Sequence, residues 1–292
     1  MKTGQSLRAQ RIPHAVAWRR RVPMSLMVAV QLAGCALLSG CESTAREDAF
    51  GRTYYIDGAG NWGYGVAEVY EGLRKAGYQG RIINFRWSPT LNPALDQTVG
   101  RPIARLRGID LAHEINRYLR EYPGRQVNII CLSAGTGVGV WACEALEPPA
   151  QVHNLVMLGS SLASNYDIRK ALSNISGSIF VYYAPGDMIL QGPVRSLGTI
   201  DGQIGVDSVG LVGLRPPGVR TDKIVNIPWQ PKYERYGWTG AHTDATSEPF
   251  VRLVLARHIL PATEAIASSK QTSAPSPAGT ATVTQAAIHP TR

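Results

Sequence analysis

A chain of 292 residues with 44% hydrophobic content has room for one large domain or two small ones, and the composition is that of an ordinary globular protein. The formal charge of +9 suggests a polyanion-binding surface only until the charges are located: six of the 30 Lys and Arg residues fall in residues 1–23, leaving 24 bases against 21 acids. That near balance, with no basic helix, no interleaved aromatics and no Cys/His spacing of metal-ligand type, excludes a nucleic-acid footprint and predicts neither metal nor cofactor.

At the N-terminus, Arg19-Arg20-Arg21 leads into the apolar run MSLMVAVQLAGCALLSGC. A basic start, a short apolar segment and small residues read as an export signal, and the run is short for a permanent membrane span. Leu38-Ser39-Gly40-Cys41 resembles a bacterial lipobox. The resemblance implies cleavage before Cys41 and a lipid on its thiol, so residues 1–40 are expected to be signal and residues 41–49 a linker. The mature protein is then expected in the cell envelope, lipid-anchored to a membrane. The long basic segment leaves Met24 open as an alternative start. Cys35 and Cys41 belong to the signal, and Cys131 and Cys143, both in apolar surroundings, are expected to be packed thiols rather than a disulfide. Residues 262–292, rich in Ala, Ser, Thr and Pro, lack the large apolar side chains that would offset ordering entropy and are expected to be disordered. The folded unit is therefore 50–261.

Thr53 to Ile56 reads as the first strand, and it runs into Gly58-Ala59-Gly60-Asn61-Trp62-Gly63, a literal G-x-G-x-x-G. That spacing is open to a dinucleotide cradle, to a loop presenting backbone N–H groups to a developing anion, and to a plain turn. Helix is expected over Val66 to Ala76 and strand over Arg81 to Phe85. A dinucleotide site wants an acid near the end of that second strand, where RIINFRW offers Asn84 and Arg86 instead. A helix follows over Ile103 to Tyr122, with Ile109, Ala112, Ile115, Tyr118 and Leu119 on its apolar face.

Val127 to Leu132 reads as a buried strand and passes straight into Ser133-Ala134-Gly135-Thr136-Gly137 and a helix over Gly137 to Leu146. Strand, tight turn and helix are the setting in which G-x-S-x-G holds a serine hydroxyl above a sheet, with Cys131 here in place of the first glycine. Further strands are expected over Val152 to Leu158, Ser178 to Tyr183 and Lys223 to Ile227, and helices over Tyr166 to Ser173 and Pro249 to Ile259. Asp187 follows the fifth strand after a Pro-Gly turn. From Met188 to Asp222 the chain holds seven glycines and little periodicity, which suits a segment that covers or shapes a site. Trp229, Tyr233, Tyr236 and Trp238 either line an acyl pocket or pack in the core. Of the five histidines after residue 40, only His242 lies in a loop between the last strand and the last helix.

Strands alternating with helices predict an α/β fold with a mostly parallel sheet covered on both faces. The order Ser133, acid, His242, each after a strand, resembles the α/β-hydrolase family over nearly all of residues 50–261. The resemblance implies a Ser-His-Asp triad and acyl transfer to water, with Asp187 as the acid and Asp207 as its rival. It also implies an oxyanion hole formed by the N–H of Ala134 and one from an earlier loop. Ala59 and Gly60 are the expected loop donors, so the glycine loop reads as an oxyanion loop in preference to a dinucleotide loop. The span from Ser133 to Asp187 is too short for a large helical cap. The expected partner is a small-molecule or lipid acyl substrate, and the alternative is a catalytically silent envelope lipoprotein of the same fold with a binding or structural role.

Overall fold

A computed structural model describes residues 44–260 of the chain. Cys41, the signal and the tail lie outside the described residues.

Six strands form one all-parallel sheet: β1 (Arg52–Ile56), β2 (Arg81–Asn84), β3 (Val127–Leu132), β4 (Leu155–Leu158), β5 (Ile179–Tyr183) and β6 (Ile224–Pro228), in the spatial order β2-β1-β3-β4-β5-β6. The central strands are apolar on both faces because helices cover both. Tyr54, Ile56, Ile129, Cys131, Leu155, Met157 and Val181 enter one core layer, while their neighbours Tyr55, Ile130, Leu132, Val156, Leu158 and Tyr182 enter the other. That alternation is what the pleat dictates for a doubly covered sheet. The α/β architecture expected from the sequence is the one that forms.

The first layer is built from α3 (Arg101–Glu121) and α4 (Gly135–Ala145), with the short α5 (Arg169–Ser173) beyond. The second holds α1 (Val66–Lys75) and the C-terminal residues 248–258. The sequence of α4, GTGVGVWACEA, has poor helix propensity, since each glycine costs roughly 1 kcal/mol relative to alanine. Burial of nearly the whole helix between the sheet and α3 offsets that cost. In α3 the buried face is Ala104, Gly108, Leu111, Ala112, Ile115 and Tyr118, and Ile109 is 41% exposed. The expected face holds at Ala112, Ile115, Tyr118 and the half-buried Leu119 and is corrected at Ile109, beside which Gly108 meets Trp141, where any Cβ would lie 2.9 Å from the Trp141 Cβ.

Three other expectations are corrected. β4 covers only Leu155–Leu158, and Val152 makes just an isolated bridge to Ile175. The single helix expected over 249–259 is a succession of an α-turn, a π-turn and a 3-10 turn. The excursion after β5 folds into short helical turns, Leu190–Val194, Arg195–Leu197 and Val209–Val212.

The packed unit also begins earlier than residue 50. Asp48 is buried, accepts two bonds from the Arg52 guanidinium at 2.6 and 2.8 Å and one from Arg81 at 3.1 Å, and its carbonyl accepts from the Tyr118 hydroxyl. Burial by itself would raise the Asp48 pKa, but the bonds and charges of Arg52 and Arg81 outweigh it and hold the carboxyl below its ordinary value. Asp48→Ala leaves the largely buried Arg52 without its main partner and should lower the unfolding free energy in urea at pH 7 by about 3 kcal/mol. Because the folded-state pKa is depressed, the wild-type advantage should persist above the ordinary aspartate pKa and shrink as pH falls through the folded one.

Candidate active site

The strand order reverses between β1 and β3, whose connections leave in opposite directions and open a crevice at the carboxyl ends of the strands. Gly58 follows β1, Ser133 follows β3, Gly159 follows β4, Asp187 lies just past β5, and His242 lies in the loop beyond β6.

Ser133 has φ 52°, one of two left-handed non-glycine residues among those described. Its amide donates to the Leu158 carbonyl, and its carbonyl accepts from the amides of Thr136 and Ser161 and from Thr136 Oγ1. Cys131, in place of the first motif glycine, is fully buried and donates its thiol to the Val156 carbonyl. It fits because Gly139 lies opposite, where a Cβ would be only 3.2 Å from Cys131 Sγ. Burial pushes both thiols, Cys131 and Cys143, well above the ordinary range, and both are free.

Asp187 caps the helical turn that follows it: Oδ1 accepts from the amides of Ile189 and Leu190 at 3.0 and 3.2 Å. This leaves Oδ2 for His242 Nδ1, 2.7 Å away, and because a carboxylate only accepts, Nδ1 carries the proton. The pair is sequestered, with side chains 2% and 12% exposed. Gly159, at φ 47°, forms the floor beneath it, and a Cβ there would lie 3.3 Å from the imidazole Nδ1 and 3.5 Å from Asp187 Oδ2. Asp207, the rival acid, instead faces Arg195 at 3.9 Å and is about half exposed. Asp244 braces the histidine loop by accepting from Thr239 Oγ1 at 2.5 Å.

Ser133 and His242 line one cavity of about 610 Å³, within the range of small-molecule sites. Its walls are Ala59, Trp62 and Tyr64 on one side, Asn92 to Ala94 and Gln97 on another, and Ile189, Pro193, Val194 and Leu197 on the third. Among the described residues no hydrogen bond joins Ser133 Oγ to His242. Trp229, Tyr233, Tyr236 and Trp238 do not line this cavity. Trp238 is buried, stacks on Tyr233 and meets Phe250 and Tyr182 edge-on, so the cluster is core. His258, half-buried, bonds the Tyr182 hydroxyl and is held down to about 4 by desolvation and the nearby Arg257 charge.

The glycine loop is held by carboxylates. Asp57 Oδ1 accepts from the Gly58 amide at 2.8 Å and Oδ2 from the Gly63 amide at 2.7 Å. Burial raises the Asp57 pKa, against the pull of those amides and of the Tyr55 hydroxyl. The Gly60 amide donates to Asp96 Oδ2 at 2.7 Å, and the Asn61 amide to the Gly58 carbonyl. Gly60 is therefore corrected as an oxyanion donor, since its N–H is committed to a buried carboxylate. Of the four amides from Gly58 to Asn61, only that of Ala59 has no protein partner among the described residues. The amide of Ala134, ahead of α4, likewise has none. Two carboxylates taking up the loop amides also oppose a pyrophosphate on electrostatic grounds, and α1 starts only at Val66.

Asp96 and Gln97 are the site residues that sequence reasoning missed. They lie on α2 (Pro93–Gln97), which starts with Asn92 accepting from the Ala94 and Leu95 amides and with Pro93 at its first turn. Asn-Pro ahead of a short polar run is a helix-start signal that could have located it. Among the described residues no cluster of three His, Cys, Asp or Glu is placed to hold a metal ion.

No protein-family model matches the chain, and no curated protein matches it. Among solved structures an acetylxylan esterase is similar at TM-score 0.40 and 12% identity, over 76% of this chain and 97% of that chain. A likeness so distant carries no argument about chemistry, for which the geometry above is the basis.

The Asp187–His242 pair has a spectroscopic signature that needs no substrate. In proton NMR the His242 Nδ1–H should give a low-field, slowly exchanging resonance that Asp187→Ala abolishes and Asp207→Ala leaves in place.

Proposed function

We propose that this protein is a serine-dependent hydrolase of the α/β-hydrolase type acting on carboxylic esters or related acyl compounds. The observation that carries the reading is the Asp187–His242 pair, whose imidazole lines the same cavity as the left-handed Ser133 turn. In this reading Ser133 Oγ attacks the acyl carbon while His242 Nε2 takes its proton, and Asp187 fixes the tautomer and stabilises the imidazolium. The carbonyl oxygen, now anionic, is bound by the amides of Ala134 and Ala59. The imidazolium then protonates the departing alcohol, leaving an acyl-serine that a water, activated by the same imidazole, hydrolyses. The apolar side chains of Ile189, Pro193, Val194 and Leu197 suit an acyl chain, and the short turns that carry them leave the cleft open.

A second reading, a silent binding module of the same fold, is favoured by the missing Ser133–His242 hydrogen bond. Catalytic hydrogen bonds in ligand-free sites are commonly loose, so the bond's absence weighs little against the paired acid and base.

A fluorophosphonate probe separates the two: the wild type should be labelled and Ser133→Ala should not, and an unlabelled wild type overturns the hydrolase. Asp187→Asn should lower kcat on a short-chain nitrophenyl ester by about 10⁴-fold with an unchanged melting temperature. Equal loss in Asp207→Asn, with Asp187→Asn active, would show that the acid is misassigned.

Export and lipidation at Cys41 belong to the same proposal and rest on LSGC and the basic, apolar segment before it. Cells fed a labelled palmitate should incorporate it into the wild type, with the label lost in Cys41→Ser. Retention of the label in that variant excludes Cys41 as the acceptor.

A further inference from the structure

Asp96 is a carboxylate with no exposed surface, and each of its oxygens lies within hydrogen-bond reach of a neutral donor. Oδ2 accepts from the Gly60 amide and from Ser88 Oγ, and Oδ1 accepts from Thr90 Oγ1 at 2.8 Å. Burying an ionised carboxylate costs several kcal/mol unless hydrogen bonds compensate it, so a chain needing only a packed core here would do better with an apolar side chain. Besides those two hydroxyls, the carboxylate holds one amide of a loop 36 residues away in sequence.

The loop has other ties, including the Asn61 Nδ2 bond to the Ser88 carbonyl and the Asn61 amide bond to the Gly58 carbonyl, but none of them takes the Gly60 amide. Asp57 accepts from the amides of Gly58 and Gly63, Trp87 Nε1 donates to the Asp57 carbonyl, and Trp62 Nε1 donates to the Leu91 carbonyl. The middle consists of Gly60 at φ 86° and Asn61 at φ 44°. The rigid peptide planes that carry the Ala59 and Gly60 N–H groups meet at the Ala59 Cα, so holding the Gly60 plane leaves the Ala59 plane only the φ and ψ of Ala59 as freedom. Asp96 takes the Gly60 amide, and the preceding amide, Ala59, is the one left unpartnered on the wall of the Ser133 cavity.

We propose that Asp96 is a positioning residue for oxyanion binding: by holding the Gly60 amide it keeps the Ala59 N–H set toward the Ser133 cavity before substrate arrives. This role rests on the hydrolase reading. Electrostatic stabilisation of a transition state depends on donors that need no reorganisation as the charge develops, and a loop with four glycines between 58 and 65 has little stiffness of its own. The contribution of Asp96 falls on the transition state and leaves ground-state binding alone, so it appears in kcat and leaves KM nearly unchanged.

The test measures kcat per active site, counted by fluorophosphonate titration, together with KM and the inhibition constant of an alkyl boronic acid that forms a tetrahedral adduct on serine. Asp96→Ala should lower kcat and weaken the boronic acid by a similar factor, on the order of 10²-fold, with KM little changed. Asp96→Asn, which keeps an oxygen for the Gly60 amide, should restore most of both. A merely structural role would instead reduce the fraction of titratable sites and the melting temperature while each remaining site kept its kcat. If Asp96→Ala does not accumulate as folded protein, Ser88→Ala carries the test and should lower kcat several-fold at constant KM. Full kcat per site in Asp96→Ala or Ser88→Ala, beside an active wild type, overturns the role of Asp96 alone. A wild type that neither labels at Ser133 nor turns over ester overturns the hydrolase reading and this role with it.

Discussion

A residue bearing a β-carbon does not rest in the left-handed region without help, and at Ser133 the backbone stands there at φ 52°, at a cost of about 1–3 kcal/mol. The surrounding bonds over-determine it. The sheet holds the Ser133 amide through Leu158, while three donors from Thr136 and Ser161 converge on its carbonyl. Thr136 Oγ1 is in turn paired with Ser160 Oγ, which accepts from the Leu162 amide. Every other feature at the carboxyl edge of the sheet is placed relative to this turn. Gly58 approaches so closely that a Cβ on it would lie 3.2 Å from that of Ser133, and Ser133 shares its cavity wall with His242.

The division of labour between the two oxygens of Asp187 follows the same economy of polar groups. A buried carboxylate has about four lone pairs to satisfy, and an oxygen left unpaired would weaken the charge that the imidazole needs beside it. By capping the turn that begins the 190–197 wall, Oδ1 fixes the carboxylate plane and leaves Oδ2 aimed at Nδ1. The carboxylate that pairs with the imidazole therefore also anchors the wall of the cavity. Around the glycine loop the pattern repeats, with Asp57 and Asp96 absorbing amides that a bare loop would leave to water.

How much of this could be read from residues depends on whether a feature is set by local pattern or by partners remote in sequence. β3 was legible because VNIICL is apolar throughout and ends in small residues, which is what a doubly covered strand entering a tight turn requires. The loop position of His242 was legible, as the one histidine after residue 40 that falls between the last strand and the last helix. The Gly60 amide was not, because G-x-G-x-x-G states which backbone angles are permitted and is silent on who accepts the N–H; the acceptor is 36 residues away on a five-residue helix. One residue of the apolar face of α3, Ile109, was misassigned for a related reason. Periodicity gives a stripe about 100° wide, and only the contact of Gly108 with Trp141 decides which edge turns inward. The four aromatics near His242 illustrate a third limit. Proximity in sequence to His242 does not say whether a ring faces the cleft or the core, and Trp238 is drawn inward by Tyr233, Phe250 and Tyr182.

The cavity walls are not independent flaps. Gln97 Nε2 donates to the Gly198 carbonyl, Arg101 donates to the Leu197 carbonyl, and Ser161 Oγ donates to Gln97 Oε1, while the Ser161 amide donates to the Ser133 carbonyl. A continuous set of bonds thus runs from the wall after β5, through α2, to the carbonyl beneath the serine. Opening that wall as a lid would break the bond of the buried Gln97 side chain to Gly198, leaving an unsatisfied group at a cost of about 1–3 kcal/mol. A cleft built this way stays in one shape. On the hydrolase reading, its selectivity then comes from the fixed apolar surface of Ile189, Pro193, Val194 and Leu197, because the segment that carries those side chains is hydrogen-bonded to the catalytic turn it serves.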